Sequence, residues 1–150
     1  MQIEIRELQS RDIEALALIE SESFSMPWSK QAFENLLSQP YCFYLVALAD
    51  GELAGGCGYT DSFHEACIDN VVVAGKYRNL GIGQAMLKEL IKRGEAADVE
   101  AFTLEVRVSN AAAIHIYEKF GFKSEGIRPN FYEKPREDAM IMWRRHKTDL

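Results

Sequence analysis

The sequence predicts an α/β fold with a mixed, mostly antiparallel central sheet flanked by helices. Three stretches carry that prediction. Val71-Val72-Val73 is apolar at every position and leads through a glycine-containing loop into an amphipathic segment, Ala85 to Ala97. Two apolar runs meet at Asp50-Gly51, a pair that suits a tight hairpin turn. Between two helical patterns, Ala101 to Val108 alternates, with Phe102, Leu104, Val106 and Val108 on one face and Thr103, Glu105 and Arg107 on the other. Helices interspersed with strands of this kind make layers around one sheet.

In order, Ile3, Ile5 and Leu8 against Glu4 and Arg6 suggest a short half-buried strand. Ser10 is read as an N-cap with Asp12 in the first turn, opening a helix on Ile13, Leu16 and Ile19 that ends near Ser23. Pro27 interrupts, and Ser29 caps a second helix through Leu37. Phe24, Met26 and Trp28 between these helices either tuck into the core or form a wall for a substrate. Tyr41 to Ala49 and Glu52 to Phe63 read as paired strands, with Gly55, Gly56 and Gly58 marking bends or a bulge. His64-Glu65 makes a turn before the apolar strand, which reads as covered on both faces. After the alternating strand, Asn110 caps a helix that closes at Gly121. Phe122 to Ile127 and Asp138 to Trp143 are the last strands, separated by a polar loop, Arg128 to Arg136, that holds Phe131 and Tyr132.

The 150 residues suit one domain, residues 1–150, with a core that stands alone. There is no apolar run near the roughly twenty residues of a membrane span, and Met1 to Arg6 lacks the basic start and apolar middle of a signal peptide. Cys42, Cys57 and Cys67 form no C-x-x-C pair and read as reduced core thiols, which points to the cytoplasm. The three histidines are scattered without metal-ligand spacing, so no metal is expected. A net charge of −6 disfavours nucleic acid and suits a basic protein or peptide partner.

The helix following Gly81 and Gly83 suggests a phosphate cradle, since a helix N-terminus presents free N–H groups and about half a positive charge. A tight strand-to-helix connection is the plainer alternative. The P-loop pattern is absent, and Met86 stands where a dinucleotide-binding G-x-G-x-x-G would need its third glycine. What does fit is Arg78-Asn79-Leu80-Gly81-Ile82-Gly83, which resembles the R/Q-x-x-G-x-G/A signature of the GCN5-related N-acetyltransferases. Leu104-Glu105-Val106-Arg107-Val108-Ser109-Asn110-Ala111-Ala112-Ala113, Ile116 to Phe122, Met26-Pro27-Trp28-Ser29 and Glu137 to Met142 are similar to the ribosomal-protein-alanine branch of that family.

The resemblance implies acetyl-CoA as cosubstrate and an N-terminal alanine, that of ribosomal protein S18, as acceptor. It implies coenzyme contacts from the backbone of Val71, Val72 and Val73, from the loop Arg78, Asn79, Leu80, Gly81, Ile82, Gly83 and Gln84, and from Asn110. It implies Glu105 as general base and Tyr117 as general acid. On their residues alone, Glu105 has a second reading as the ion-pair partner of Arg107 or another cation, and the periodicity around Tyr117 favours a core tyrosine. Trp28, Phe131 and Tyr132 are expected to wall a slot for the acceptor. Asn79 and Gln84 stand where many members of the branch carry arginine, which leaves Arg78 and Lys76 to neutralise phosphate. A small-amine acetyltransferase and a non-catalytic acyl-CoA sensor are the alternative readings. The oligomeric state is not encoded in any pattern of the chain.

Overall fold

The computed structural model describes residues 1–147 and 150. Strand β1 (Ile3–Glu7) is followed by helices α1 (Ile13–Ser23) and α2 (Lys30–Leu37), then by strands β2 (Cys42–Ala49), β3 (Glu52–Ser62) and β4 (Glu65–Val73). Helix α3 (Ile82–Ala96), strand β5 (Ala101–Arg107), helix α4 (Ala111–Lys119) and strands β6 (Lys123–Tyr132) and β7 (Glu137–Arg144) complete the order. The seven strands form one sheet, β1-β2-β3-β4-β5-β7-β6. Every neighbouring pair is antiparallel except β4 and β5. The mixed, mostly antiparallel sheet with flanking helices is the predicted fold.

Two apolar layers cover the sheet. On one face Leu45, Cys57, Ile68, Leu104 and Val106 pack with Ile82, Met86, Leu90 and Ile91 of α3 and Phe120 and Phe122 beyond α4. On the other, Tyr44, Val46 and Val72 pack with Leu16 and Ile19 of α1 and Phe33 of α2. The helix-forming spacings in the sequence are these two buried stripes.

Several boundaries differ from the sequence reading, each for a local reason. Ser10 is not the cap of α1; it opens a 3-10 turn, Ser10–Asp12, before the helix. Buried Asp12 accepts paired hydrogen bonds from Arg6 (2.8 and 2.9 Å) and one from the Gln9 N–H (2.8 Å). Ser29 does cap α2, accepting from the Ala32 N–H at 3.1 Å. The β3–β4 turn is at Phe63-His64, both at positive φ, one residue earlier than read. Helix α3 begins at Ile82 rather than Ala85, because Gly81 takes the left-handed conformation (φ 82°) as its N-cap. Strand β6 continues to Tyr132, so Phe131 and Tyr132 close a strand rather than occupy a loop. As the outer strand, with register shifts between Ser124 and Gly126 and between Arg128 and Tyr132, it tolerates Pro129 and polar residues that break the alternation. Val71 and Val73 are only partly buried, while Val72 is 2% exposed. The strand is therefore covered fully on one face alone.

Two irregularities position the site. At Gly58/Tyr59 the β3–β4 register shifts, leaving Asp69 without an opposite residue. The extra residue changes the side-chain phase of β4. Ile68 packs toward α3, but Val72, four residues on, packs toward α1 and α2. Second, β4 and β5 pair only from Glu65↔Ala101 to Cys67↔Thr103. Beyond that the strands part, and among the described residues β4 from Asp69 to Val73 has no strand partner on that side.

Candidate active site

Two cavities meet where β4 and β5 part. The first, of about 540 Å³, is lined by Val71, Val73, Tyr77, Arg78, Asn79, Gly81, Ile82, Gly83, Gln84, Leu87, Asn110, Ala113, Ile116 and Tyr117. The second, of about 710 Å³, lies on the α1/α2 face among Trp28, Asp69, Val71, Glu105, Asn110, Tyr117, Phe131 and Tyr132 with their neighbours. Val71, Asn110, Ala113 and Tyr117 line both.

The first cavity opens onto the N-terminus of α3. The first helical bond there is from the Ala85 N–H to the Gly81 carbonyl (3.0 Å), and among the described residues no side chain caps the end. The N–H groups of the first turn are thus available to an anion. A Cβ built on Gly83 would sit 3.5 Å from Val73 Cγ2, at the cavity wall. Of the loop residues singled out from sequence, Leu80 does not line the cavity and is 55% exposed. The side chain of Val72 faces away, into the α1/α2 core. Arg78 lines the cavity and is anchored there, donating to the Val73 carbonyl and the Ser23 hydroxyl, both at 3.1 Å. Lys76 does not line it; it pairs with Glu52 at 2.7 Å. Lys119, which the sequence pattern does not single out, does not line the cavity either, but from the end of α4 its Nζ donates at 3.4 Å to Oε1 of Gln84, which does. Its position in the last turn of a predicted helix was visible, but its proximity to the glycine loop, 35 residues away, was not.

The second cavity takes its walls from four places. Glu105 stands on β5 on the face opposite Leu104 and Val106, as its alternation predicted. Helix α1 packs over β3 and β4 and α2 over β2, so the β5 surface around Glu105 stays open. Its nearest cation is Arg128, at 3.8 Å, not Arg107. Arg107 instead binds Glu137 (3.2 Å) and the carbonyls of Pro135 (2.9 Å) and Glu133 (3.2 Å), with its guanidinium 4.4 Å from the centre of the Tyr132 ring. That set of contacts holds the β6–β7 turn over the cavity. The Ser25 hydroxyl ties the α1–α2 connection to the same turn through the Lys134 carbonyl (2.8 Å). Trp28 both packs on Phe33 (ring centroids 5.4 Å apart) and lines the cavity, so core and wall prove compatible.

Tyr117 is reached through α4. Asn110 caps that helix, accepting from the Ala113 N–H at 3.2 Å, and Gly121 closes it at φ 87°. The ring rests 5.8 Å from Phe122. Burial, with smaller contributions from Tyr132 and Cys57, pushes its phenol up to about 12. Tyr132 is also raised, by burial first and then by the field of Glu105. The Cys57 and Cys67 thiols are poor nucleophiles. Burial raises Cys57 strongly and Cys67 to about 11, the latter helped by Asp69 and Glu105.

Sequence reading missed two acidic groups of this cavity. Glu20 on α1 is 2% exposed and lines it. Its Oε1 accepts from Asn70 Nδ2 (3.0 Å) and the Trp28 N–H (3.4 Å). Asn70 in turn accepts from the Tyr44 hydroxyl. The Tyr44 ring lies against Gly56 and Gly58, where a Cβ on Gly56 would come within 2.6 Å of the ring. These glycines make room for the network. Asp69, at the bulge, accepts from the Thr60 hydroxyl (2.8 Å).

A model of the acetyltransferase (GNAT) family matches residues 12–122. Over 140 residues the chain is 39% identical to a putative ribosomal protein bS18-alanine N-acetyltransferase of Bacillus subtilis, covering 93% of each chain. It is 36% identical to the ribosomal protein bS18-alanine N-acetyltransferase of Escherichia coli, covering 92% of this chain and 94% of that one. The crystal structure of the ribosomal-protein-S18-alanine N-acetyltransferase from Escherichia coli superposes with a TM-score of 0.90 at 32% identity, over 99% of this chain and 97% of that one. A Thermoplasma acidophilum N-acetyltransferase in complex with coenzyme A shares the fold, with a TM-score of 0.80 at 23% identity over 97% of this chain and all of that one. By its matched family model, its relatives over nearly the whole chain and its sheet, this chain belongs to the GNAT family of acetyltransferases.

Proposed function

We propose that this protein transfers the acetyl group of acetyl-CoA to the α-amine of an N-terminal alanine, that of ribosomal protein S18, in the cytoplasm. The observation that carries the reading is the shared wall of Val71, Asn110, Ala113 and Tyr117 between the glycine-loop cavity and the cavity of Glu105. A thioester lying along the first cavity meets an amine entering through the second at that wall. The names of the relatives support the acceptor. The reading takes the chain as one acetyltransferase domain, acting without a metal and without contacting nucleic acid.

The coenzyme's diphosphate sits at the first turn of α3, with Arg78 and Lys119 beside it. Its pantetheine arm runs along the unpaired edge of β4 from Val71 to Val73 and past Asn110. The attacking amine has to be neutral. An α-amine has a pKa of about 7.7–8.0 against about 10.4 for lysine. Near neutral pH roughly a tenth to a third of α-amines are free base, against about one lysine in a thousand. One carboxylate, Glu105, acting directly or through a water, is then base enough. The N–C bond forms as the C–S bond breaks. A β4 backbone N–H polarises the carbonyl oxygen. Tyr117, which burial keeps protonated across the neutral range, gives its proton to the departing sulfur.

The test uses three peptides with the first residues of S18: one with a free α-amine, one blocked there but carrying an internal lysine, and one beginning with a bulky residue. Mass spectrometry after incubation with acetyl-CoA should find the first alone acetylated. Equal modification of the blocked peptide would reject α-amine selectivity. Acetylation of spermidine or an aminoglycoside, with all peptides untouched, would replace the protein acceptor by a small amine.

A further inference from the structure

The acceptor cavity holds more negative charge than the reaction needs. Glu20 Oε2 is buried and has no hydrogen-bond partner among the described residues. An unmet buried carboxylate oxygen is costly, and Glu20 lines the cavity. Asp69 lines it too, from the β4 bulge, with Oδ2 held by the Thr60 hydroxyl. The two carboxylates flank one neutral pair. Asn70 binds Glu20 and follows Asp69 in the chain, and the Tyr44 phenol that donates to Asn70 is raised by burial first and then by Cys57, Glu20 and Asp69. Among the described residues neither carboxylate has an ion pair, whereas Glu105 has Arg128. Of the cations lining the cavity, Arg107 is committed to Glu137 and to two carbonyls, and Lys134 is an exposed residue of the β6–β7 turn with no ion pair among the described residues.

We propose that Asp69 and Glu20 form a subsite for the cationic side chain of a lysine or arginine at the second or third residue of the acceptor, with Asp69 determining the specificity. The proposal rests on the N-terminal acetyltransferase reading. Asp69 meets the cation directly. Glu20, deeper and behind Asn70, adds the second negative charge. The α-amine is not the occupant, because an amine held as a cation cannot attack. A lysine offers three donors and a guanidinium five, so either can meet the Asp69 carboxylate while Glu20 acts on it through its charge.

The experiment compares short peptides that begin with alanine and carry arginine, lysine, norleucine or glutamate at the second residue, with a parallel set varied at the third. Acetylation is measured as kcat/KM with the wild type, Asp69→Asn and Glu20→Gln. In one of the two sets the arginine and lysine peptides should exceed the norleucine peptide about tenfold, through KM, and the glutamate peptide should be poorest. Asp69→Asn should collapse the arginine-to-norleucine ratio to about twofold, and high salt should narrow it in the wild type. A loss shared equally by all peptides would mean that Asp69 only supports the fold and would overturn the subsite. Equal use of all peptides by the wild type would overturn the subsite and leave the acetyltransferase reading standing. No acetylation of any peptide, with acetyl-CoA bound in the same samples, would overturn both. Should Glu20→Gln fail to fold, the Asp69→Asn ratio decides alone.

Discussion

Glu105 and Tyr117 illustrate what one residue's surroundings do to its meaning. On β5, Glu105 has the alternation of any solvated strand residue. It becomes a candidate base because α1 and α2 stop short of it and Arg107, its neighbour on the same face, is engaged elsewhere. Tyr117 has the spacing of a core residue and packs as one, yet it borders both cavities. Glu105→Gln and Tyr117→Phe keep shape and remove the proton-handling atom. Each should lower kcat by about 10²–10⁴-fold while acetyl-CoA binding, followed by calorimetry, stays near wild type. The glutamine variant should lose most at low pH, where free amine is scarce. Wild-type turnover in both variants would remove the assigned roles.

At the scale of an element, the start of α3 does the binding. Gly81 and Gly83 serve different purposes. Gly81 is there for its left-handed backbone, and none of the described residues beyond its chain neighbours lies within 4 Å of a Cβ built on it; Gly83 is there because a side chain would enter the cavity beside Val73. At a hundred times its dissociation constant a ligand adds about 2.7 kcal/mol, roughly 6–10 °C of melting temperature for a chain of this size. Acetyl-CoA should raise the wild-type melting temperature by that amount. Gly83→Val should abolish the rise with little change in the melting temperature of the free protein. Gly81→Val should lower the latter as well, because valine is strained at positive φ. A full shift retained by Gly83→Val would move the coenzyme away from this loop. Edge strand β6 teaches the opposite lesson about elements. With Pro129 and polar residues on an unpaired edge, it shows no period, which is why the sequence pattern ends the strand at Ile127 and not at Tyr132.

For the molecule as a whole, Glu20 couples the site to stability. Burial raises its carboxyl above the ordinary range, and the Trp28 N–H and Asn70 amide only partly offset this. A carboxyl whose pKa is higher folded than unfolded favours the fold most below its unfolded value of about 4.3, and that contribution is lost as pH rises through the folded value. Wild type should therefore lose stability relative to Glu20→Gln as pH climbs from about 4 toward neutrality. Each pH unit of elevation is worth about 1.4 kcal/mol, a few degrees of melting temperature at this size. Melting curves of the two proteins from pH 4 to 8 test this. A constant difference would mean that Glu20 ionises as freely folded as unfolded.

The element order, the hairpin at Asp50-Gly51, the caps at Ser29 and Asn110 and the glycine loop were all legible in the sequence. Each depends on residues two to four positions apart, a spacing the chain carries with it into any environment. Glu20 was legible only as one more polar residue on an amphipathic helix, since its partner Asn70 lies 50 positions on. The phase change at Asp69 and the parting of β4 from β5 after Cys67 and Thr103 left no local signature. Register between distant strands is decided by how all the strands pack at once. So the sequence alone determined the elements and the family motifs, while the tertiary structure decided which face each functional side chain meets and opened the gap where the two cavities join.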